Sequence, residues 1–234
     1  VIDYQGTKDA LILRILKGIE EARPLPGRDK WEACWREHEG LIPPYYYSDI
    51  IREYGEFKYV PNGYEYSRFC GIRDRLLHEY CADMPVYEFG CGTGHNLTGL
   101  MNCKGFDWSG SAVRKLRDRG IDADVFDMLN PTPMKIPGAA VTFHALEQLG
   151  KNFKPFLEFL LEAKPQVVIH VEPILELYED NLLDYLAVQY HKKRGYLEGY
   201  LEAVINSGAE ILELKRNHFG SLYHDAYSVL VWKP

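Results

Sequence analysis

No apolar run in this 234-residue chain approaches the roughly 20 residues that a membrane-spanning helix requires, so neither a transmembrane segment nor a membrane partner is expected. The first residues, Val-Ile-Asp-Tyr-Gln-Gly, carry no basic stretch leading into an apolar core, and no signal peptide is expected there. Cysteine is scarce. The five residues, at positions 34, 70, 81, 91 and 103, are odd in number and none forms a C-x-x-C pair. That argues against a disulfide framework and a zinc site and favours the reduced thiols of a cytoplasmic protein. Positive charge is also short. Lys and Arg total 27 against 34 Asp and Glu, a net charge of −7, which disfavours a large phosphate-binding surface and hence a nucleic-acid partner. The two basic runs, Arg114-Lys-Leu-Arg-Asp-Arg119 and Lys192-Lys-Arg194, read as solvated helix faces.

The chain does have the composition of a soluble globular protein, 46% hydrophobic and 26% charged, in one domain or one domain with an added lobe. Ile12, Ile15, Leu16 and Ile19 repeat at helical spacing, and Pro24 and Pro26 stop that run. A second helix is expected from about Asp29, where Asp29 and Glu32 have the form of a capping pair, up to Gly40. A short helix is expected after Ser48 and another over 66–81. Seven of the 17 tyrosines fall between residues 45 and 66, a density that suits ring packing and a pocket lining in which Tyr46 and Tyr47 touch a substrate. Beyond Met84 the pattern alternates. Strands are expected at 86–89, 103–107, 123–127, 139–143, 166–171, 209–214 and 227–232. The helices between them start at Asn96, at Ser109 or Ser111, and at Phe153, and a long helical region breaks near Gly195. Such alternation predicts an α/β protein with a mostly parallel doubly wound sheet of seven strands, its last two strands an antiparallel hairpin.

The organising stretch is Met84-Pro-Val-Tyr-Glu-Phe-Gly-Cys-Gly-Thr-Gly-His-Asn-Leu97. A strand turning through glycines into a helix lets backbone N–H groups face a ligand. The dinucleotide pattern G-x-G-x-x-G fails in both frames, because its sixth position is His95 or Leu97. What stands there is Glu88-x-Gly90-x-Gly92-x-Gly94, which resembles the nucleotide-binding motif of the class I S-adenosylmethionine-dependent methyltransferases. The resemblance covers residues 80 to 234. It implies that Glu88, Gly90, Gly92 and Gly94 hold the methionine end and sugar of S-adenosylmethionine, with S-adenosylhomocysteine as product. It also divides the chain into a methyltransferase domain at 81–234 and a helical, tyrosine-rich lid at 1–80. The lid is expected to shape the acceptor pocket and to leave the cofactor site to the rest.

Ligands of open α/β sheets bind beyond the carboxyl ends of the strands, which fixes where to look. Asp107 ends the second of these strands, 17 residues after Gly90, and its two oxygens can accept from both ribose hydroxyls. Its context, Gly105-Phe-Asp-Trp-Ser109, looks like the family's G-x-D-x-S. The resemblance further implies an adenine contact at Asp127 and at the backbone N–H of Met128. Phe143-His-Ala-Leu-Glu-Gln-Leu149 is similar to the H-x-L-E-H-L of small-molecule methyltransferases, with Gln148 in place of the second His. His144 is then expected beside the methyl donor, as cofactor contact or as the base for a hydroxyl acceptor, with Glu147 orienting it. The Asn/Asp-Pro-Pro-Tyr of base-amino methyltransferases is absent from this position. Glu172 is expected at the substrate, and His170, Glu172 and Glu176 lack the spacing of a metal site. The reading is methyl transfer to oxygen or nitrogen of a small or medium-sized acceptor. Aminopropyl transfer on the same fold and a non-catalytic cofactor-binding partner subunit are the alternatives. Oligomeric state is not legible.

Overall fold

A computed structural model describes residues 4–25, 27–43, 46 and 48–234. Tyr47, expected at the substrate, lies outside the described residues. Seven strands form one sheet: β3 (Val86–Phe89), β4 (Cys103–Asp107), β5 (Asp122–Val125), β6 (Ala139–Phe143), β7 (Val167–Glu172), β8 (Glu210–Lys215) and β10 (Ser228–Lys233), in the order β5-β4-β3-β6-β7-β10-β8. All pairs from β5 to β7 are parallel, and β10 runs antiparallel to both β7 and β8. The expected fold class and C-terminal hairpin are therefore present.

The central strands are apolar on both faces because both faces are covered. Along β10, Val229 and Val231 enter one core with Phe69 and Leu76 of α3 (Tyr64–Tyr80) and Leu116 of α4 (Gly110–Asp118). Leu230 and Trp232 point the other way, to Phe156 and Phe159 of α5 (Lys154–Ala163). The expected break at Gly195 separates α6 (Leu182–Arg194) from α7 (Tyr200–Asn206), and Gly195 caps α6 with φ +71°.

Three local expectations are corrected. First, the short helix expected after Ser48 is a hairpin of β1 (Ile50–Glu53) and β2 (Glu56–Tyr59), so the N-terminal segment is not wholly helical. Tyr54 and Gly55 form its two-residue turn, both at positive φ, the conformation that matches the twist of a hairpin. Strand β1 also pairs with β9 (Phe219–Ser221), joining this segment to the link between β8 and β10. Second, the residues after the glycine loop form turns, not a helix. Asn96 is drawn to Glu88, and Gly99 takes a φ of +90°. Third, Gly27 occupies the N-cap of α2 (Arg28–Glu37) without any side-chain bond, and Glu32 reaches away from that helix altogether. It accepts from the hydroxyls of Ser109 and Ser111 at 2.6 and 2.5 Å, at the start of α4.

Candidate active site

The carboxyl ends of β3, β4 and β6 open into a cavity of about 410 Å³, a size that suits a small-molecule ligand. Gly90 and Gly92 line one side, with φ of +75° and +51°. The Gly92 N–H donates to one Asp107 oxygen at 2.9 Å and the Ser109 N–H to the other at 2.9 Å. Asp107 is buried and faces the cavity, and burial raises its pKa to about 6 against those two N–H donors. A carboxylate has about four lone-pair sites, so two remain for a ligand. Trp108, Phe126 and Met128 add apolar wall beside it.

Not every glycine-loop residue faces this space. Gly94 packs on Leu116, where an added Cβ would lie 2.8 Å from the side chain. Glu88 is fully buried behind the loop and accepts from Asn96 at 2.7 Å, and burial raises its pKa to about 8. Asp127 is also outside the cavity wall. It accepts from the Leu129 N–H at 2.9 Å, bracing the turn that presents Met128.

The turn after β6 brings titratable side chains to the cavity. His144 has φ +54° and lines the cavity, with Nε2 buried and unpartnered. Left-handed backbone at a non-glycine residue is uncommon and clusters at functional sites. Its Nδ1 lies 3.9 Å from a Glu147 oxygen, too far for a hydrogen bond but well within Coulombic range. Burial alone would lower the His144 pKa, but Glu147, Glu172 and Glu65 together raise it above 6.5. Glu172, expected at the substrate, does not reach the cavity. Its two oxygens accept from the N–H groups of Ala145, Leu146 and Glu147 at 3.0, 3.0 and 3.2 Å, so it fastens the turn from below. His170 is likewise occupied, between Thr142 at 2.8 Å and Tyr200 at 2.9 Å.

Other parts of the wall come from residues that the sequence did not single out. Trp35 of α2 lies over the glycine loop so closely that a Cβ on Gly92 would meet its ring at 2.8 Å, and Trp31 stacks on it at 5.6 Å. The N-terminal segment therefore reaches the glycine loop as well as the part of the wall formed by Glu65 and by Tyr46, which was expected at a substrate. The other walls are His95, the end of α6 with Tyr190 and Arg194, and the segment after β9 with Tyr223 and Tyr227. A helical i, i+4 pair of tryptophans was the available signal for α2. No local signal marks Glu65 or the late tyrosines.

Buried polar atoms in folded proteins are nearly always paired. Here several unpaired ones share this cavity: Trp31 Nε1, both His95 nitrogens, Glu65 Oε2, His144 Nε2, Glu147 Oε2, Gln148 Oε1 and Arg194 Nε. A wall of that kind is built for a polar ligand.

No protein-family model and no curated protein matches the chain. Solved structures do resemble it. The cyclase SpnF superposes with a TM-score of 0.61 at 14% identity, over 91% of this chain and 98% of that one. A geranyl diphosphate C-methyltransferase from Streptomyces coelicolor, in complex with S-adenosylhomocysteine, gives 0.55 at 11% identity, over 91% and 99%. The N-methyltransferase NodS from Bradyrhizobium japonicum, also with S-adenosylhomocysteine, gives 0.54 at 11%, over 72% and 86%. The chain has the class I methyltransferase fold. The differing activities of these three proteins leave the reaction to be argued from the site.

Proposed function

We propose that this protein binds S-adenosylmethionine and transfers its methyl group to oxygen or nitrogen of a small acceptor. The observation that carries the reading is the convergence of the glycine loop, the Asp107 carboxylate and the unpaired polar atoms on one cavity at the strand ends. These residues fit the cofactor. Asp107 keeps acceptor capacity for two ribose hydroxyls, Phe126 and Met128 offer an apolar wall for the base, and Gly90 and Gly92 line the side that would receive the methionine end. When bound, the cofactor supplies a methyl group on a positively charged sulfur that leaves as a neutral thioether.

The protein's own part is alignment, exclusion of water and removal of a proton. His144 lines the cavity, and its buried Nε2, which has no partner, can take a proton from the acceptor. The nearby Glu147 carboxylate favours the imidazolium that results. Glu172 and the Val171 carbonyl hold the backbone that presents this pair. Tyr46 and Glu65 stand on the acceptor side.

Aminopropyl transfer is a second reading with an observation in its favour. It calls for acids beside the acceptor, and the fold brings Glu65 into the cavity that Glu147 lines. Incubating the protein and a cell extract with methyl-labelled S-adenosylmethionine, and separately with decarboxylated S-adenosylmethionine labelled in its aminopropyl carbons, tests both. Label in small molecules from the first donor is expected. Transfer only from the second donor would replace the reading, and label only in macromolecules, or nowhere, would overturn it.

A further inference from the structure

Glu65 and Glu147 have the same unusual status. Each is more than nine-tenths buried, at 3% and 7% exposure, and each lines the cavity. In each, one oxygen is satisfied: Glu65 Oε1 by the Tyr227 hydroxyl at 2.9 Å, and Glu147 Oε1 by the Gln148 amide at 2.8 Å. The other oxygen is buried without a hydrogen-bond partner. Among the described residues, neither carboxylate forms an ion pair with a Lys or Arg; Glu147 approaches only His144. The two are linked through Tyr227, whose ring meets the His144 imidazole edge-on at 4.7 Å while its hydroxyl holds Glu65. A buried carboxylate without a counter-charge is costly, and two in one cavity leave a deficit of positive charge. Arg194, which lines the same cavity and stacks on Tyr196, interacts with Glu147 and offsets part of that deficit. Tyr46 and Tyr227 line the same cavity.

We infer that the acceptor is an amine that enters as an ammonium ion, and that Glu65 is the counter-charge that selects it. The inference rests on the methyl-transfer reading for its chemistry, and on the cavity alone for its recognition. The ammonium gives one proton to His144 Nε2. The freed nitrogen lone pair forms the new N–CH3 bond, and the electron pair of the broken C–S bond stays on sulfur. The product is a methylated ammonium with the charge that the sulfonium carried, and the proton leaves from His144 to solvent. Beyond Arg194 and a protonated His144, which belong to the wall itself, the other source of positive charge is the donor's sulfonium. It differs in a measurable way, because S-adenosylhomocysteine lacks that charge.

The test is calorimetric. Wild-type protein saturated with S-adenosylhomocysteine is titrated with benzylamine, benzyl alcohol and benzoate, three probes of similar shape and different charge. Benzylamine is expected to bind at least about tenfold tighter than either of the others, since a bond to a charged group is worth that much. Glu65→Gln keeps the shape and the Tyr227 partner and should remove most of that preference, while the affinities for S-adenosylmethionine and S-adenosylhomocysteine stay within about twofold. Tyr227→Phe keeps the ring and the Glu65 charge and should retain the preference, which controls for disturbance of the wall. Equal binding of the three probes to wild type, or a preference that survives in Glu65→Gln, overturns the inference. So does a loss confined to S-adenosylmethionine, which would assign Glu65 to the sulfonium. Failure of the methyl-transfer reading shows separately, as absent cofactor binding before any amine is added. If the cofactor does not bind, a benzylamine preference that Glu65→Gln abolishes upholds the amine site while that reading falls.

Discussion

The backbone N–H of Gly92 donates to the carboxylate of Asp107 at 2.9 Å, across the gap between the ends of β3 and β4. One side chain therefore holds the glycine loop in place and faces the cavity with its remaining acceptor capacity. Asp107→Ala is expected to weaken S-adenosylmethionine binding about tenfold or more, from the loss of charge-assisted bonds of about 1.5–3 kcal/mol. Gly92→Val should abolish binding, because φ is +51° there and the Trp35 ring occupies the space. Affinity in the wild type should fall as pH drops through about 6, where Asp107 protonates and loses acceptor sites. Unchanged calorimetric affinity in both variants would remove Asp107 and the loop from the cofactor site.

Trp35 makes a second prediction, and it departs from the expectation that the N-terminal segment serves the acceptor alone. Its ring covers Gly92, so Trp35→Ala should weaken cofactor binding by about fivefold or more, a typical cost of truncating a buried aromatic contact. A protein beginning at Tyr66 should lose cofactor affinity together with turnover. Full affinity in that shortened protein would confine the segment to the acceptor side.

His144 is tested with Asn as well as Ala, because Asn tolerates the left-handed backbone that His144 adopts at φ +54°. Both variants should lower kcat by about 10²–10⁴-fold with little change in cofactor affinity. A base must be neutral to act, and the neighbouring glutamates raise the His144 pKa above 6.5, so the wild-type rate should climb through a pKa on the alkaline side of that value. A loss that appears in cofactor Kd instead would make His144 a cofactor contact.

Arg52, Asp184, Arg216 and Asp225 form a buried ionic network that ties β1 to α6 and to the segment around β9. Without Asp184, Arg52 and Arg216 share Asp225 alone and one buried positive charge is uncompensated, so Asp184→Ala should cost about 3–5 kcal/mol in urea denaturation. Burial would raise the Asp184 pKa, but Arg216, the Glu179 N–H and Arg52 outweigh it and lower the value from 3.8 to about 2. Its contribution is thus present above about pH 4 and lost as pH falls through 2. A variant as stable as wild type at neutral pH would dismiss the network as a brace.

Glu32 acts between α2 and α4 in a related way. Its bonds to Ser109 and Ser111 lower its pKa from 4.5 to about 2. The difference in Tm between wild type and Glu32→Gln should be present above pH 4.5 and should vanish as pH falls through 2. A difference that is constant with pH would exclude the ionised carboxylate as its source.

The sheet was legible in the sequence because its information is local. Apolar runs such as Ala139-Ala-Val-Thr-Phe143, the glycine turn after Phe89 and the serine cap before α4 each lie within a few residues, and the strand-end rule then pointed to Asp107 and His144. Local pattern failed where neighbouring residues permit two conformations. The Tyr54-Gly55 turn hid a hairpin among tyrosines, and Glu32 had a capping position within its own helix but bonds across to another. Of the cavity wall around Glu65, the sequence pointed to Tyr46 but not to Glu65 or Tyr227. Glu65 of α3 meets Tyr227, immediately before β10, across 162 residues. Periodicity says which face of an element is buried. Which buried carboxylate is left without a partner is decided only when distant elements pack.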